Sequence, residues 1–67
     1  MANMLRAQRK RRGWKLAELG GLTGLSVSYL SLIERGLREP APATKVQLAR
    51  AMRARVDELF PPDQTVA

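Results

Sequence analysis

The sequence predicts a small all-α protein, a bundle of short helices. Three observations support that prediction. Apolar residues recur at helical spacing, no segment shows the alternation typical of a strand, and glycine, serine and proline mark the segment ends. At 67 residues the chain can form one domain, close to the lower limit at which a core alone sustains a fold.

The composition restricts how so small a fold is stabilised. The chain contains no cysteine and no histidine, which excludes disulfides and the usual zinc-binding sets. We therefore expect neither a metal nor a cofactor. Stability must come from tight helix packing or from association with a second copy.

The first two helices are predicted from helix-forming residues and their end signals. The first runs from Asn3 to Arg12, with Asn3 as the N-cap and Gly13 as a left-handed residue after its end. A second helix is expected from Lys15 to Leu22. Gly20 inside it lowers helix propensity, which indicates that another helix approaches closely there.

The third helix has the clearest boundaries. Ser26 is a good N-cap for a helix from Val27 to Arg35, and Gly36 is its stop. At about 100° per residue the helix separates into two faces. One face carries Leu30, Ile33 and the edge of Tyr29, and the other carries Val27, Ser28, Ser31, Leu32 and Arg35.

A fourth helix is predicted to begin at Pro42, which suits a first helical turn, and to end near Arg53. Its apolar positions are Val46, Ala49 and Met52. The cluster from Val56 to Phe60 is expected to form one further turn, either as part of the core or as an exposed dimer patch. We place the domain at residues 1–60 and expect residues 61–67 to form a disordered tail.

The second and third helices together form a helix-turn-helix pattern. Gly24 supplies the turn between them, and Gly20 permits their close contact. In such a motif the second helix presents small or polar side chains to the major groove of DNA, which has room for one helix. The apolar wedge between the two helices is Leu19, Leu25, Leu30 and Ile33.

The ordered set of motifs over residues 4–60 resembles the phage lambda-repressor and Cro-like (Xre) family. The residues that carry the resemblance are Gly13-Trp14, Leu19, Gly24-Leu25-Ser26, Ser28-Tyr29-Leu30, Ile33-Glu34-Arg35-Gly36, Pro40, Leu48-Ala49-Arg50-Ala51-Met52 and Asp57-Glu58-Leu59-Phe60. The spacing is kept across nearly the whole chain, which makes the set far more specific than a lone helix-turn-helix pattern.

The resemblance implies a compact five-helix, lambda-repressor-like bundle in which Ser26–Arg35 is the recognition helix. It implies a buried ion pair between Arg9 and Glu34. The other roles it implies are base reading by Val27, Ser28 and Leu32, with Ser31 nearby, and phosphate contact by Lys15, Leu16, Arg35 and Arg38.

Four positions depart from the family pattern. Leu16 stands where many members have a phosphate-binding glutamine, and Lys15 replaces the usual Ser or Thr cap. Arg53 stands where a glycine normally ends the fourth helix, so a left-handed backbone there would be strained by about 1 kcal/mol. Lys45 replaces an apolar residue and is expected to thin the core.

The charge balance indicates a polyanionic partner. The chain contains twelve Lys and Arg residues and six Asp and Glu residues, which gives a formal net charge of +6. The leading interpretation is a sequence-specific transcriptional regulator that binds double-stranded DNA, as a homodimer at least on DNA. The alternative is a protein-interaction module, antiactivator or antitoxin-like, that has kept the fold with little DNA binding.

Other classes of function are disfavoured. The scattered acids and the small core argue against an enzyme, and no small-molecule effector is evident. No apolar run approaches a membrane span and no signal peptide is visible, so the prokaryotic cytoplasm is the expected location.

Overall fold

The first helix, α1, spans Leu5–Arg11, and the computed structural model describes residues 3–62 of the chain. The prediction that Asn3 is its N-cap is wrong, because Met4 occupies that position. Asn3 stabilises the helix start from one residue further out. Its Oδ1 accepts a hydrogen bond from the Leu5 amide at 3.0 Å, while its Nδ2 donates to the Ile33 carbonyl at 2.8 Å. The side chain therefore ties the start of α1 to the third helix.

The second helix, α2, spans Leu16–Thr23, and the third helix, α3, spans Val27–Glu34. Each predicted helix in this region is found, with boundaries shifted by about one residue. Ser26 is confirmed as the N-cap of α3, since its hydroxyl accepts from the Tyr29 amide at 3.0 Å. Left-handed glycines follow the first three helices: Gly13 at φ 71°, Gly24 at φ 76° and Gly36 at φ 74°.

The fourth helix, α4, spans Pro42–Met52 and begins with proline as predicted. Of the three apolar positions that follow helical spacing, Val46 lies outside the core, because it is 40% exposed. Leu48 is buried instead, beside Ala49 and Met52. Helical spacing continues this buried stripe back to Lys45, three residues before Leu48.

Lys45 occupies a position on the buried stripe of α4 although it is not an apolar residue. Its side chain is 24% exposed, and its amino group forms an ion pair with Glu39 and lies 5.3 Å from the centre of the Phe60 ring. Long lysine side chains often bury an aliphatic stem while keeping the charge at the surface. The aliphatic part of the Lys45 side chain therefore covers the core at this point, where the family normally has an apolar residue.

The fifth helix, α5, spans Val56–Leu59 and closes the bundle. Its last residue, Leu59, is fully buried, and Val56 and Phe60 pack half-buried against the core. The Met4 amide donates to the Leu59 carbonyl at 2.8 Å, which joins the two ends of the domain. These contacts are those that the core interpretation of this cluster predicts. The predicted tail lies mainly at residues 63–67, outside the described part of the chain.

The helices pack as one bundle. α2 contacts α3 and α4, α4 contacts α5, and α1 contacts α3. The five helices, without a strand in residues 3–62, confirm the predicted all-α class. The buried apolar core consists of Leu5, Leu19, Leu30, Ile33, Leu48, Ala49, Met52 and Leu59.

Arg12 has a structural role that the sequence did not reveal. One of its guanidinium nitrogens donates to the Gln8 carbonyl at 2.7 Å, and the other donates to the Met52 carbonyl at 2.8 Å. The guanidinium also lies 5.9 Å from the centre of the Trp14 ring. Arg12 therefore satisfies a carbonyl at the end of α4, where helices leave such groups without partners.

Arg53, which stands where the family normally has a glycine, has a left-handed backbone, φ 51° and ψ 46°. This conformation costs a non-glycine residue about 1–2 kcal/mol. Arg53→Gly should therefore raise the free energy of unfolding by about 0.5–1 kcal/mol, part of the gain being lost to the greater freedom of glycine in the unfolded chain. Urea unfolding would measure it. Arg53→Ala is the matched control and should show no gain, because it keeps the strain; equal stabilities of both variants would contradict the explanation.

Candidate nucleic-acid interface

The helix-turn-helix geometry is built by a tight turn of three residues between Thr23 and Val27. The chain bends by 113° between α2 and α3, within the range of about 90–120° typical of this motif. Thr23 is buried, and its hydroxyl donates to the Leu19 carbonyl at 2.8 Å and accepts from the Leu25 amide at 3.3 Å. The side chain thus spans the end of α2 and the start of the turn.

Gly20 sets how closely the two helices approach. A Cβ atom on Gly20 would lie 2.9 Å from the Leu25 carbonyl oxygen and 3.8 Å from side-chain atoms of Leu30 and Val27. A backbone atom occupies the space that any larger residue would need. The prediction that Gly20 permits close contact between the helices agrees with this geometry.

The two faces of α3 separate as the sequence predicts. Leu30 and Ile33 are fully buried, and Tyr29 packs half-buried against them. On the opposite face Val27 is 44% exposed, and the rest of that face is exposed or half-buried. This helix therefore holds the bundle with one side and leaves the other side free to meet a partner.

Six of the eight predicted DNA-contact residues line one shallow depression of about 390 Å³. It lies between the start of α2 and the outer face of α3. All four predicted base-reading residues are among them. The other two, Leu16 and Arg35, were predicted to contact phosphate. Its lining is Leu16, Val27, Ser28, Ser31, Leu32 and Arg35.

The remaining two predicted contacts, Lys15 and Arg38, lie outside that lining. Lys15 is the N-cap of α2 but makes no side-chain cap, and its own amide donates to Glu18 Oε1 at 2.6 Å. The guanidinium of Arg38 lies 5.9 Å from the centre of the Tyr29 ring. The sequence carries no signal for this contact, because the two residues are nine positions apart and share no helix.

Arg9 and Glu34 form the ion pair that the resemblance implies. Nε donates to Oε2 at 2.7 Å and Nη2 to Oε1 at 3.1 Å, while Nη1 donates to the Trp14 carbonyl at 2.7 Å. The side chains are only 10% and 5% exposed. The hydrogen bond to Glu34 raises the pKa of Arg9 above its ordinary value, so the guanidinium stays charged. The pair locks α1 onto the end of α3.

Every carboxylate in residues 3–62 already has a partner. Glu34, Glu39 and Asp57 form ion pairs with Arg9, Lys45 and Arg55, and Glu18 and Glu58 accept from backbone amides. Three of the twelve basic residues are thereby neutralised. The nine that have no ion pair with a described carboxylate are Arg6, Lys10, Arg11, Arg12, Lys15, Arg35, Arg38, Arg50 and Arg53.

The described residues 3–62 contain neither a metal-binding cluster nor a single helix that could cross a membrane. No group of three or more acidic side chains in residues 3–62 could hold a metal ion. No single described helix is long and apolar enough to cross a membrane. The pair α2 and α3 together reaches the required length and composition, but it is bent by 113°.

Comparison with known proteins gives matches over most of the chain. The helix-turn-helix family matches residues 5–59. The HTH-type transcriptional regulator YazB of Bacillus subtilis is 38% identical over 60 residues, covering 90% of this chain and 87% of that protein. No solved structure matches the chain significantly.

Two regulators of Mycobacterium tuberculosis are also similar. The uncharacterized HTH-type transcriptional regulator Rv0474 is 34% identical over 58 residues, 87% of this chain. Another, Rv0023, is 48% identical over 40 residues, 60% of this chain. The chain spans 41% of the length of the first and 16% of the second.

The family match covers all five helices and the turn that joins α2 to α3. It confirms the resemblance drawn from the motifs, and this family is a non-enzymatic class, as expected for the domain. The chain therefore belongs to the helix-turn-helix family, of the lambda-repressor and Cro-like (Xre) kind.

Proposed function

We propose that this protein is a sequence-specific transcriptional regulator that inserts α3, within the predicted recognition segment Ser26–Arg35, into the major groove of double-stranded DNA. The observation that carries the proposal is the depression on the outer face of α3, where residues from both helices of the motif converge. A major groove about 12 Å wide admits one such helix. Val27, Ser28, Ser31 and Leu32 then face the base edges.

The charge distribution supports a partner with many phosphates. Nine basic residues lack a described carboxylate partner, so their charges are available to an external anion. Arg35 lies at the edge of the depression, and in sequence Lys15 precedes the residues that line it and Arg38 follows them. We assign these three residues to phosphate contacts, which position the protein without reading sequence.

A homodimer on an inverted repeat follows from the small size of the reading surface. A single module of this kind buries about 600–1,000 Å² of protein surface on DNA, the low end for specific binding. Two copies related by a twofold axis would place their recognition helices about 34 Å apart, in successive major grooves. We propose that dimerisation occurs at least on DNA, in the cytoplasm and without a small-molecule effector.

The deciding experiment is selection of bound duplexes from a random library at ~150 mM salt, because non-specific affinity depends steeply on salt. The enriched site is then titrated against a scrambled duplex. We expect an inverted repeat, two protein copies per site and a preference of at least ~10³-fold. Weak, equal binding to both duplexes would overturn the proposal and favour the protein-interaction alternative.

Arg38→Ala should weaken binding to specific and random duplexes alike. Losing one phosphate contact should also make the dependence of log affinity on log salt concentration less steep by about one unit. Ser28→Ala should instead change the preference between sequences. Fluorescence-anisotropy titrations at several salt concentrations would measure both effects.

Arg50→Ala is the matched control for Arg38→Ala. Arg50 is also exposed and without a described carboxylate partner, but it lines a different groove on α4 with Leu22 and Val46. The control should keep the salt slope of the unchanged protein. Equal losses of slope in both variants would show that Arg38 contributes only general charge.

A further inference from the structure

The lining of the depression has an unusual chemical composition for a DNA-reading surface. Three of its six residues are aliphatic, two carry hydroxyls, and one guanidinium lies among them. It contains no amide and no carboxylate. Adenine is commonly read by Asn or Gln and cytosine by Asp or Glu, so the usual donors and acceptors for those bases are missing. The aliphatic residues are Leu16, Val27 and Leu32.

An apolar group does project into the major groove, namely the C5-methyl of thymine. We propose that the depression is a receptor for a pyrimidine C5-methyl group, and that Leu16 determines specificity together with Val27 and Leu32. This inference rests on the proposed function, because it requires α3 to enter the major groove. The methyl has two sources, thymine and 5-methylcytosine, which both present it at the groove edge.

Leu16 is the residue whose role changes. The family resemblance assigned it to phosphate contact, but a leucine side chain can neither donate nor accept a hydrogen bond. It is half-buried, packs against the core, and lines the same depression as all four residues assigned to the bases. The short distance between α2 and α3 at Gly20 keeps the two walls of the depression together.

The two serine hydroxyls in the depression do not discriminate between thymine and cytosine. Ser28 and Ser31 lie among the aliphatic residues, and a serine hydroxyl both donates and accepts. The O4 atom of thymine accepts a hydrogen bond, whereas the N4 group of cytosine donates one. Either pyrimidine can therefore satisfy a serine, and discrimination falls to the methyl contact. The expected order of affinity is thymine and 5-methylcytosine above uracil and cytosine.

Selection from three random duplex libraries tests the inference with the unchanged protein. The first library is ordinary DNA, the second contains deoxyuridine in place of thymidine, and the third contains 5-methylcytosine in place of cytosine. The ordinary library should yield a site with thymines at defined positions. Removing one of those methyls should weaken binding about fourfold, the effect expected for burial of one methyl-sized group. The third library should also yield sites with 5-methylcytosine at those positions.

Protein variants test which residue recognises the C5-methyl group. For each variant the ratio of affinities for the thymine and uracil forms of the enriched site is measured, and partial unfolding cancels in that ratio. Leu16→Ala should bring the ratio close to one. Leu22→Ala removes a leucine from the same helix outside the depression, where the side chain is 57% exposed, and should leave the ratio unchanged.

The outcomes separate the two proposals. An enriched site that binds equally well with uracil overturns the methyl receptor and leaves the DNA-binding function standing. A ratio unchanged by Leu16→Ala overturns the role of that residue. No enrichment from any library overturns both the receptor and the function on which it rests.

Discussion

Glu34→Ala is expected to leave little folded protein at 25 °C. Both carboxylate oxygens of Glu34 bind the Arg9 guanidinium, and both side chains are about nine-tenths buried. Removing one partner of a buried pair leaves an uncompensated charge and costs about 3–5 kcal/mol. A single core of this size supplies about 3–5 kcal/mol in all. Circular dichroism during thermal unfolding should show loss of the cooperative transition.

The exposed pair Arg55–Asp57 provides the control for that substitution. Its side chains are 77% and 53% exposed, and such pairs contribute about 0–1 kcal/mol. Asp57→Ala should therefore shift the midpoint of unfolding only slightly. A Glu34→Ala protein that melts like the Asp57→Ala protein would show that the Arg9–Glu34 pair does not hold α1 to α3.

Gly20→Ala is expected to destabilise the protein by about 1–3 kcal/mol, although alanine favours helices more than glycine does. The added Cβ would lie 2.9 Å from the Leu25 carbonyl oxygen, a backbone atom that moves only if the turn moves. The shift would also separate α2 from α3. For a domain of this size each kcal/mol lowers the melting temperature by about 4–8 °C.

The neighbouring glycine offers a matched control, since a Cβ on Gly21 would have no atom within 4 Å. Gly21→Ala should stabilise α2 by about 0.5–1 kcal/mol, the ordinary propensity difference. The two substitutions are chemically identical and one residue apart, yet their effects should have opposite sign. Equal effects in thermal unfolding would mean that the helices do not approach closely at Gly20.

Helix ends and the two faces of α3 could be predicted from the sequence because they depend on local interactions. Ser26 reaches an amide three residues ahead, and Gly36 adopts a backbone that other residues avoid. Asn3 shows the limit of this reasoning. It lies one residue before the N-cap, and its partners include the Ile33 carbonyl, thirty residues away, which no local pattern indicates.

The core stripe of α4 shows why periodicity alone was insufficient. Val46, Ala49 and Met52 fit helical spacing as well as Leu48, Ala49 and Met52 do. The direction in which a helix faces its neighbours selects one of these sets, and here Leu48 lies in the buried cluster that includes Leu19 of α2 and Leu59 of α5. The same reason left the role of Phe60 open until the position of α5 was known.

The sequence by itself determined the fold class, the family, the order of the helices and which side of α3 lies outside the core. The helices and their faces depend on spacing and end signals within a few residues, and the family depends on the order of the motifs along the chain. Only the tertiary structure placed Leu16 beside Val27 and Leu32, Arg38 over Tyr29, and Arg12 on the Met52 carbonyl. These contacts join separate elements, and their geometry depends on how closely the helices pack.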